Sequence, residues 1–281
     1  MKNDLTKTKL AFIGCGVMAE SIIAGLLRKE MVAPAQIIGS HPSANRRAEL
    51  SAKYGITVFE HNAEAAEAIR GSENSIVALC VKPQRLDGVL RGLKDKIAPE
   101  QIILSIVAGA KLETISAALG NKRIVRAMPN TPAQIGAGIT AWTCTEEVSA
   151  DEQEQIKAIL TALGKELRVE TENMIDMATS LSATGPTYIF MVMEALTDAG
   201  VHLGFSRDMS KELVQETMLG AVKFAMESHR HPAELRNMVT SPGGTSADAI
   251  YQMEKGGLRT VLSKAVYAAY QRAVALGEKK V

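Results

Sequence analysis

Two short glycine-containing motifs stand near opposite ends of this sequence, and each could hold an anion. The first runs from Gly14 to Ala19 (Gly-Cys-Gly-Val-Met-Ala), and the second runs from Ser241 to Ser246 (Ser-Pro-Gly-Gly-Thr-Ser). Glycines ahead of a helix leave backbone amides free to point at one spot, and the helix dipole attracts negative charge there. Two separate anion sites favour an enzyme with two substrates over a sensor or a scaffold.

The first motif has the spacing of a dinucleotide-binding turn. Gly14-x-Gly16-x-x-Ala19 follows the apolar run at 9–13 and opens a helical pattern. In such turns the first glycine allows a tight bend, the second lets the backbone approach a pyrophosphate, and a small third residue keeps helix and strand close. The spacing alone is weak, but its place between strand and helix favours nucleotide binding over a structural turn. We therefore predict cofactor contacts from Gly14, Cys15, Gly16, Val17, Met18 and Ala19.

The region after the second predicted strand favours NADPH over NADH. Sites that prefer NAD usually carry an acidic residue about 20 residues beyond the glycine turn, where it binds the ribose hydroxyls. The corresponding residues here, 39–47 (Gly-Ser-His-Pro-Ser-Ala-Asn-Arg-Arg), include no acid. Ser40 and Arg46 offer a hydroxyl and a guanidinium that suit a 2′-phosphate. The alternatives are that Arg46 and Arg47 only begin a solvated helix face, and that NADH serves as cofactor.

Three further loops follow predicted strands, at the edge where ligands of such sheets bind. The candidate cofactor residues in them are Cys80, Lys82 and Pro83, then Ala108 and Gly109, then Met128 and Asn130. Lys82 is equally consistent with a phosphate contact and with an exposed loop lysine. The loop at 126–132 contains two prolines, which fix its backbone, so it could be a wall for a nicotinamide ring or a structural turn.

The second motif has no partner that would complete a nucleophilic or metal site. Thr245 and Ser246 add hydroxyls that can donate or accept a proton, although one of them could simply cap the following helix. The five histidines lack metal-ligand spacing and no Ser–His–Asp or Cys–His set can be assembled, so we predict no metal site. A hydride transfer that needs orientation and one proton donor fits these groups.

Composition argues against nucleic-acid and membrane partners. The 281 residues carry a formal net charge of +1 and are 46% hydrophobic, with the basic residues scattered. No apolar run approaches the roughly 18 residues of a membrane span, and the N-terminus lacks a signal-peptide core. Three widely separated cysteines argue against a disulfide framework and a zinc site. We expect a cytoplasmic protein.

Strands and helices alternate through the first 170 residues. Apolar runs predict strands at 9–13, 36–38, 75–81, 101–107 and 123–127, with weaker candidates at 138–143 and 166–169 around a helix at 150–163. Beyond them only helices are predicted, at 186–203, 207–227, 232–238, 245–253 and 258–276. The alternation is typical of a doubly wound sheet. We therefore predict an α/β Rossmann-type domain (1–170), followed by an all-α domain for dimerisation and substrate binding (171–281).

The helical part has too few helices to bury all of its apolar side chains in a core of its own. Long helices of this kind often bury their second face against a partner subunit, so we expect self-association. Its many methionines are better explained as core filler than as a binding face.

Five motifs, in order along nearly the whole chain, resemble those of the pyrroline-5-carboxylate reductase family. They lie at residues 12–18, 81–84, 126–132, 182–188 and 241–245. The resemblance implies a Rossmann domain, an intertwined helical dimerisation domain, and a homodimer that often assembles to a decamer. It also implies hydride transfer from NADPH or NADH to a small imine carboxylate, which gives L-proline in the last step of its biosynthesis.

The resemblance also implies roles for single residues. The substrate carboxylate would be held by backbone amides between Ser241 and Thr245, including Gly243 and Gly244. Ser246 stands where the family has a threonine that meets the ring nitrogen, so it is the candidate proton donor. Asn62 matches an asparagine on the adenosine side of the cofactor. Cys80, Lys82 and Pro83 match a cofactor-contacting loop, and Ala108 and Gly109 lie near the nicotinamide half.

The sequence also departs from the family pattern. Ala183, Thr184 and Thr187 replace Gly, Ser and Ala, and Met238 stands where some members have a cofactor-side Asn. These added methyl groups bear on turnover and substrate range. The β-hydroxyacid dehydrogenases share the domain plan but place a catalytic lysine on the first long helix of the helical domain, and residues 185–200 contain none. A reductase of another cyclic imine and an NADP-binding regulator without turnover remain the alternatives.

Overall fold

The structure, a computed structural model, describes residues 5–278. Contacts divide the chain into two compact units. The first contains the residues up to Thr184 together with those from Ala269 onward, and the second is Gly185–Ala268. The domain boundary expected between residues 170 and 171 falls inside the first unit and stays a prediction.

The first unit is built on an eight-stranded sheet with the order β3-β2-β1-β4-β5-β6-β7-β8. The strands are β1 Thr8–Ile13, β2 Ile37–Ser40, β3 Thr57–Phe59, β4 Asn74–Leu79, β5 Ile102–Ser105, β6 Ile124–Met128, β7 Gly138–Cys144 and β8 Gly164–Arg168. β1 to β6 are parallel, β7 is antiparallel to β6, and β8 is parallel to β7. The strand order reverses beside β1, which is the switch point where such sheets bind ligands.

Helices cover both faces of this sheet. They are α1 Val17–Arg28, α2 Ala44–Tyr54, α3 Asn62–Glu67, α4 Leu86–Leu93, α5 Leu112–Leu119, α6 Ala150–Thr161 and α7 Asn173–Ala178, which continues into a π-helical turn at Thr179–Ala183. Leu10 and Phe12 of β1 share one apolar cluster with residues of α1, α2 and α6, whereas Ala11 and Ile13 share another with residues of α3, α4 and α5. Both faces of the strand are therefore buried, which explains the unbroken apolar run at residues 10–13.

Two features of the sheet were not foreseen from the sequence. β3 is an edge strand of 3 residues, too short to show a periodic pattern. The antiparallel direction of β7 follows from its connection, because residues 129–137 are fewer than the dozen or more that a parallel crossover needs. The expected Rossmann-type α/β fold is confirmed.

The described second unit is helical. It holds α8 Gly185–His202, α9 Arg207–Ser228, α10 Pro232–Met238, α11 Thr245–Lys255 and the first part of α12 Leu258–Glu278. α8 and α9 come close at Gly200, where a Cβ would lie 2.7 Å from Ser210 Oγ. No residue of α8, α10 or α11 is buried within one chain. Phe190 on α8 and Phe224 on α9 are 58% and 50% exposed, so both helices expose large apolar side chains.

Residues 5–278 contain neither a candidate membrane span nor a metal-binding cluster. Over this range no helix is long and apolar enough to cross a membrane. Nor do three His, Cys, Asp or Glu side chains come together there in a way that could hold a metal ion. Cys15, Cys80 and Cys144 are free thiols.

Candidate active site

The glycine turn joins β1 to α1 at the switch point of the sheet. Gly14 has a φ of +87°, and a Cβ there would lie 2.6 Å from Val81 Cγ1, so the position requires glycine. A Cβ on Gly16 would meet nothing within 4 Å, so this residue borders open space. Gly16 is the N-cap of α1 and supplies no side-chain cap. The first amides of α1 therefore lack an intrahelical acceptor and suit a phosphate.

The side chains of this turn divide between core and solvent. Cys15 and Ala19 are fully buried, whereas Val17 is 61% exposed. Cys15 can therefore meet a cofactor only through its backbone. Burial raises the pKa of the Cys15 thiol to about 11 and raises the pKa of the Cys80 thiol well above its usual range. Both thiols are protonated near neutral pH, so neither acts as a nucleophile there.

Ser40 links the glycine turn to Asn62 at the start of α3. Its hydroxyl donates to Asn62 Oδ1 over 2.8 Å and lies 3.3 Å from the Gly14 amide, for which it is an acceptor. The Ser40 carbonyl accepts a further bond from the amide of Cys15 at 2.9 Å. Because Ser40 is fully buried, it holds these residues in place and does not present its hydroxyl to solvent. Its contact with a 2′-phosphate stays a prediction.

Arg46 lies in the first turn of α2, where all three of its guanidinium nitrogens have protein acceptors. Nε donates to the Cys15 carbonyl at 3.4 Å, Nη1 lies 2.8 Å from Glu49 Oε1, and Nη2 donates to Glu20. The side chains of Arg46 and Glu20 are each only 19% exposed. Arg46 is thus not part of a merely solvated helix face, since it bridges α2 to the glycine turn and to α1.

Glu20 is the centre of this cluster and was missed in the sequence. It lies in the first turn of α1 and also accepts bonds from Lys53 Nζ at 2.9 Å and Tyr54 Oη at 2.7 Å. Burial alone would raise the pKa of Glu20, but the bonds from Lys53, Arg46 and Tyr54 outweigh it and hold the pKa at about 2. No local spacing reveals the cluster, because its members lie on two helices far apart in sequence.

Arg47 fixes the loop between β2 and α2. Its Nη1 donates to the carbonyls of His41 at 3.0 Å and Pro42 at 2.8 Å, and its Nη2 pairs with Glu60 at 2.8 Å. Two of its bonds therefore hold the backbone of the β2–α2 loop in place, so Arg47 has a structural role.

The loops after β4 and β5 border one cavity of about 330 Å³. Among its lining residues are Pro83, Ala108, Gly109, Asp87 and Arg272. Gly109 has a φ of +75°, and a Cβ there would lie 2.8 Å from Leu276 Cβ, so the end of α12 packs directly on this loop. Lys82 is exposed and precedes a short 3₁₀ turn at Pro83–Arg85. The predicted cofactor residues of both loops thus lie at the carboxyl edge of the sheet.

The loop after β6 is held rigidly. Asn130 Nδ2 donates to the Ser182 carbonyl at 3.2 Å, and its Oδ1 accepts from the Ile139 amide at 3.0 Å. Met128 is 6% exposed and belongs to a small apolar cluster against which Ala108 packs. Both side chains therefore hold the loop after β6 in place, and their contact with a nicotinamide ring stays a prediction.

A buried ion pair anchors the end of β6 that leads into this loop. Arg126 Nη2 lies 2.6 Å from Asp176 Oδ1, and Nη1 lies 3.0 Å from Glu172 Oε1. Glu172 Oε1 also accepts the amide of Leu112 at 2.7 Å, at the start of α5. The sequence did carry a signal for this network, because Glu172 and Asp176 are four residues apart and so share one helix face.

The second motif begins α11 in the helical unit. Gly243 has a φ of +69°, and the amide of Gly244 donates to the Ser241 carbonyl at 3.0 Å. Gly244 is the N-cap and no side-chain cap bond is made, so the alternative in which Thr245 or Ser246 caps the helix is wrong. These two residues occupy the first helical turn, where amides lack intrahelical acceptors. The nucleotide-side candidates gather at one sheet edge, and this motif belongs to the other unit.

Comparisons with known proteins agree in both halves of the chain. Residues 9–109 match the family model described as NADP oxidoreductase coenzyme F420-dependent, and residues 172–276 match the one described as pyrroline-5-carboxylate reductase dimerisation. A protein from Pseudomonas aeruginosa named pyrroline-5-carboxylate reductase is 41% identical over 276 residues, which cover 98% of this chain and 99% of that protein.

Solved structures extend the likeness to the fold. A pyrroline-5-carboxylate reductase from Coxiella burnetii is 34% identical with a TM-score of 0.86, and the match covers 98% of this chain and 100% of that one. A pyrroline carboxylate reductase from Plasmodium falciparum, with NADP bound, is 28% identical with a TM-score of 0.86, covering 96% and 98%. With this identity over almost the full length of its relatives, the chain belongs to the pyrroline-5-carboxylate reductase family.

Proposed function

We propose that this protein reduces 1-pyrroline-5-carboxylate to L-proline, the last step of proline biosynthesis. The observation that carries the proposal is the pairing of two features in one chain of this family. A glycine turn opens a helix at the switch point of the sheet, and a second glycine pair opens α11. No nucleophile or metal cluster among the described residues favours a different chemistry.

The residues at the sheet edge suit a dinucleotide cofactor. Gly14 permits the tight turn, Gly16 borders open space where a pyrophosphate can approach the backbone, and the start of α1 offers amides to it. Asn62 would meet the adenosine side, while Cys80, Lys82, Pro83, Ala108 and Gly109 would border the rest. When bound, the reduced nicotinamide supplies a hydride to the imine carbon.

The second motif would bind and protonate the substrate. Backbone amides within Ser241–Thr245, chiefly those of Gly243 and Thr245, would hold its carboxylate, aided by the dipole of α11. The Ser246 hydroxyl, half-buried on the first turn of α11, would pass a proton to the ring nitrogen as the hydride reaches the adjacent carbon, and solvent water would replace that proton on Ser246. Together the hydride and the proton convert the C=N bond into the CH–NH bond of proline.

NADPH is the proposed preferred cofactor, with NADH as the alternative. No acidic side chain occurs among residues 39–47, where an NAD-preferring site usually carries one. Arg46 lies on the first turn of α2, the helix that follows β2, and its Nε donates to the Cys15 carbonyl of the glycine turn. A guanidinium there suits a 2′-phosphate.

The working form is proposed to be a homodimer that assembles further to a decamer. The helices of the second unit expose large apolar side chains in a single chain, and the segment 172–276 matches a dimerisation family. We also propose that it works in the cytoplasm, without nucleic-acid or membrane partners, since its net charge is close to zero and its thiols are free.

The direct test is turnover of the purified protein. Incubation with pyrroline-5-carboxylate should consume the absorbance of reduced nicotinamide and form L-proline, faster with NADPH than with NADH. Absence of turnover with both cofactors would refute the activity. Turnover of only a different ring would favour the alternative imine reductase, and cofactor binding without any turnover would favour a regulatory protein.

A further inference from the structure

We propose that Glu20 is a specificity-determining residue, which limits the preference for NADPH over NADH by compensating the charge of Arg46. The inference rests on the proposed function, because it concerns how the cofactor's 2′-phosphate is received. It assigns a role to a carboxylate that neither the glycine turn nor the second motif includes.

The arginine that would meet the phosphate is already engaged. A guanidinium has five N–H donors, and in Arg46 its three nitrogens contact the Cys15 carbonyl, Glu20 and Glu49. Two of these three acceptors are carboxylates. Two N–H donors remain for a phosphate, and it would meet a cation whose charge is offset on two sides.

Glu20 lies where its negative charge can act on a phosphate attached to the ribose. It stands on the first turn of α1, directly after the glycine turn, and Arg46 stands on the first turn of α2, directly after β2. In such a sheet the ribose of the adenosine half lies between these two points. The side chain of Glu20 is 19% exposed, so solvent screens it only in part.

Glu20 also neutralises a second cation. Lys53 Nζ lies 2.9 Å from its Oε1, on the opposite carboxylate oxygen from the one that binds Arg46. A 2′-phosphate carries up to two negative charges and is repelled by Glu20 while it is attracted by both cations. NADH lacks this phosphate, so removal of the Glu20 charge should change its affinity little. Glu20 therefore acts mainly on the ratio between the cofactors.

The chain offers a matched control in Glu49. It contacts the same guanidinium at 2.8 Å, but its side chain is 56% exposed and has no second cationic partner among the described residues. Solvent screening therefore weakens its effect on a nearby phosphate. The two carboxylates share Arg46 and differ in burial and in the Lys53 contact of Glu20, which makes Glu49→Gln the reference for Glu20→Gln.

The test is direct titration of both cofactors without imine, using the full chain. Glu20→Gln removes the charge and keeps the shape and one acceptor oxygen, and Arg46 retains its contacts with the Cys15 carbonyl and Glu49. We expect the Kd for NADPH to fall roughly tenfold and the Kd for NADH to stay unchanged. The gain should shrink at high salt, since screening already weakens the repulsion in the wild type. Glu49→Gln should change the ratio less, and Glu20→Asp should leave it near the wild-type value.

Three results would overturn the inference. They are an unchanged cofactor ratio, a loss of affinity for both cofactors together, and a loss for NADPH alone, which would mean that Glu20 is needed to hold Arg46. Failure of the proposed function is distinguishable. A wild-type protein that binds both cofactors but reduces no imine would refute the activity and leave this measurement intact.

Discussion

Arg126 and Asp176 form an ion pair of 2.6 Å in which the side chains are 1% and 9% exposed. Arg126 belongs to β6, directly ahead of the rigid loop, and Asp176 belongs to α7. Glu172 joins them and also holds the amide of Leu112, shortly after the loop that carries Ala108 and Gly109. One buried cation thus connects two loops of the candidate cofactor site to the start of the segment that matches the dimerisation family.

Replacement of this cation should destabilise the protein strongly. Arg126→Met leaves Asp176 buried without its partner, and such a loss costs about 3–5 kcal/mol. Thermal unfolding should therefore begin at a clearly lower temperature. Arg126→Met combined with Asp176→Leu should recover part of the loss, because an apolar pair carries no desolvation cost. An unchanged unfolding midpoint in the single variant would show that the pair contributes little.

Glu20 should make stability depend on acid pH. The pKa of this carboxyl falls from an ordinary 4.5 to about 2 on folding, so its stabilising effect is complete above pH 4.5 and is lost as the pH falls towards 2. Wild type should exceed Glu20→Gln in stability near neutral pH by up to about 3 kcal/mol. The two unfolding curves should converge near pH 2, and a constant difference across this range would contradict the assignment.

Ser246→Ala should slow the reaction more than it weakens cofactor binding. Loss of a positioned proton donor commonly costs a hundredfold or more in rate, whereas the cofactor residues lie elsewhere in the chain. The measurement is kcat together with the KM for each substrate. Ser246→Thr is the control, since it keeps a hydroxyl and should stay active. If the alanine variant keeps the wild-type rate, bound water supplies the proton.

Arg46→Ala should weaken NADPH selectively. We expect roughly a tenfold rise in the KM for NADPH with little change for NADH, since only the former carries the 2′-phosphate. The effect is modest because Glu20 and Glu49 already offset the charge of Arg46. Equal losses for both cofactors would mean that Arg46 mainly holds the glycine turn through its bond to Cys15.

The exposed face of α8 should carry the self-association. Phe190 is 58% exposed in one chain, and Phe190→Asp would place a charge in an apolar interface. Light scattering should then report a smaller assembly, and an enzyme assay should report a lower specific activity. Lys94→Glu, at the exposed end of α4, changes charge outside this unit and should leave the assembly intact. An unchanged mass for Phe190→Asp would move the interface to another face.

Much of the sheet could be predicted because its strands are buried on both faces. The runs ending at Ile13 and Leu79 are almost entirely apolar, and the steric need for glycine at residue 14 follows from its place after β1. The direction of β7 could also have been inferred, since its short connection excludes a parallel crossover. β3 could not, because a strand at the edge of a sheet needs few apolar residues.

The candidate site was less accessible to sequence reasoning than the fold. The helix starts after Gly16 and Gly244 could be foreseen from glycine placement, whereas the pairing of Arg46 with Glu20 depends on how α1 and α2 pack. The sequence also suggests the Ser40 hydroxyl as a cofactor contact. In the structure this side chain is fully buried and donates to Asn62, so it stabilises the fold at this point. Side-chain partners across helices are fixed by tertiary packing, which one sequence does not display.

The contact between Gly109 and Leu276 has a consequence for how the chain matures. The loop after β5 is covered by the last part of α12, with no room for a Cβ between them. Residues 269–278 are synthesised after the entire helical unit, yet they belong to the same compact unit as the sheet. The first unit, which contains the sheet, therefore cannot finish folding during synthesis until the helices of the second unit have been made. A chain released after Thr184 should expose apolar surface at Gly109 and be prone to aggregation.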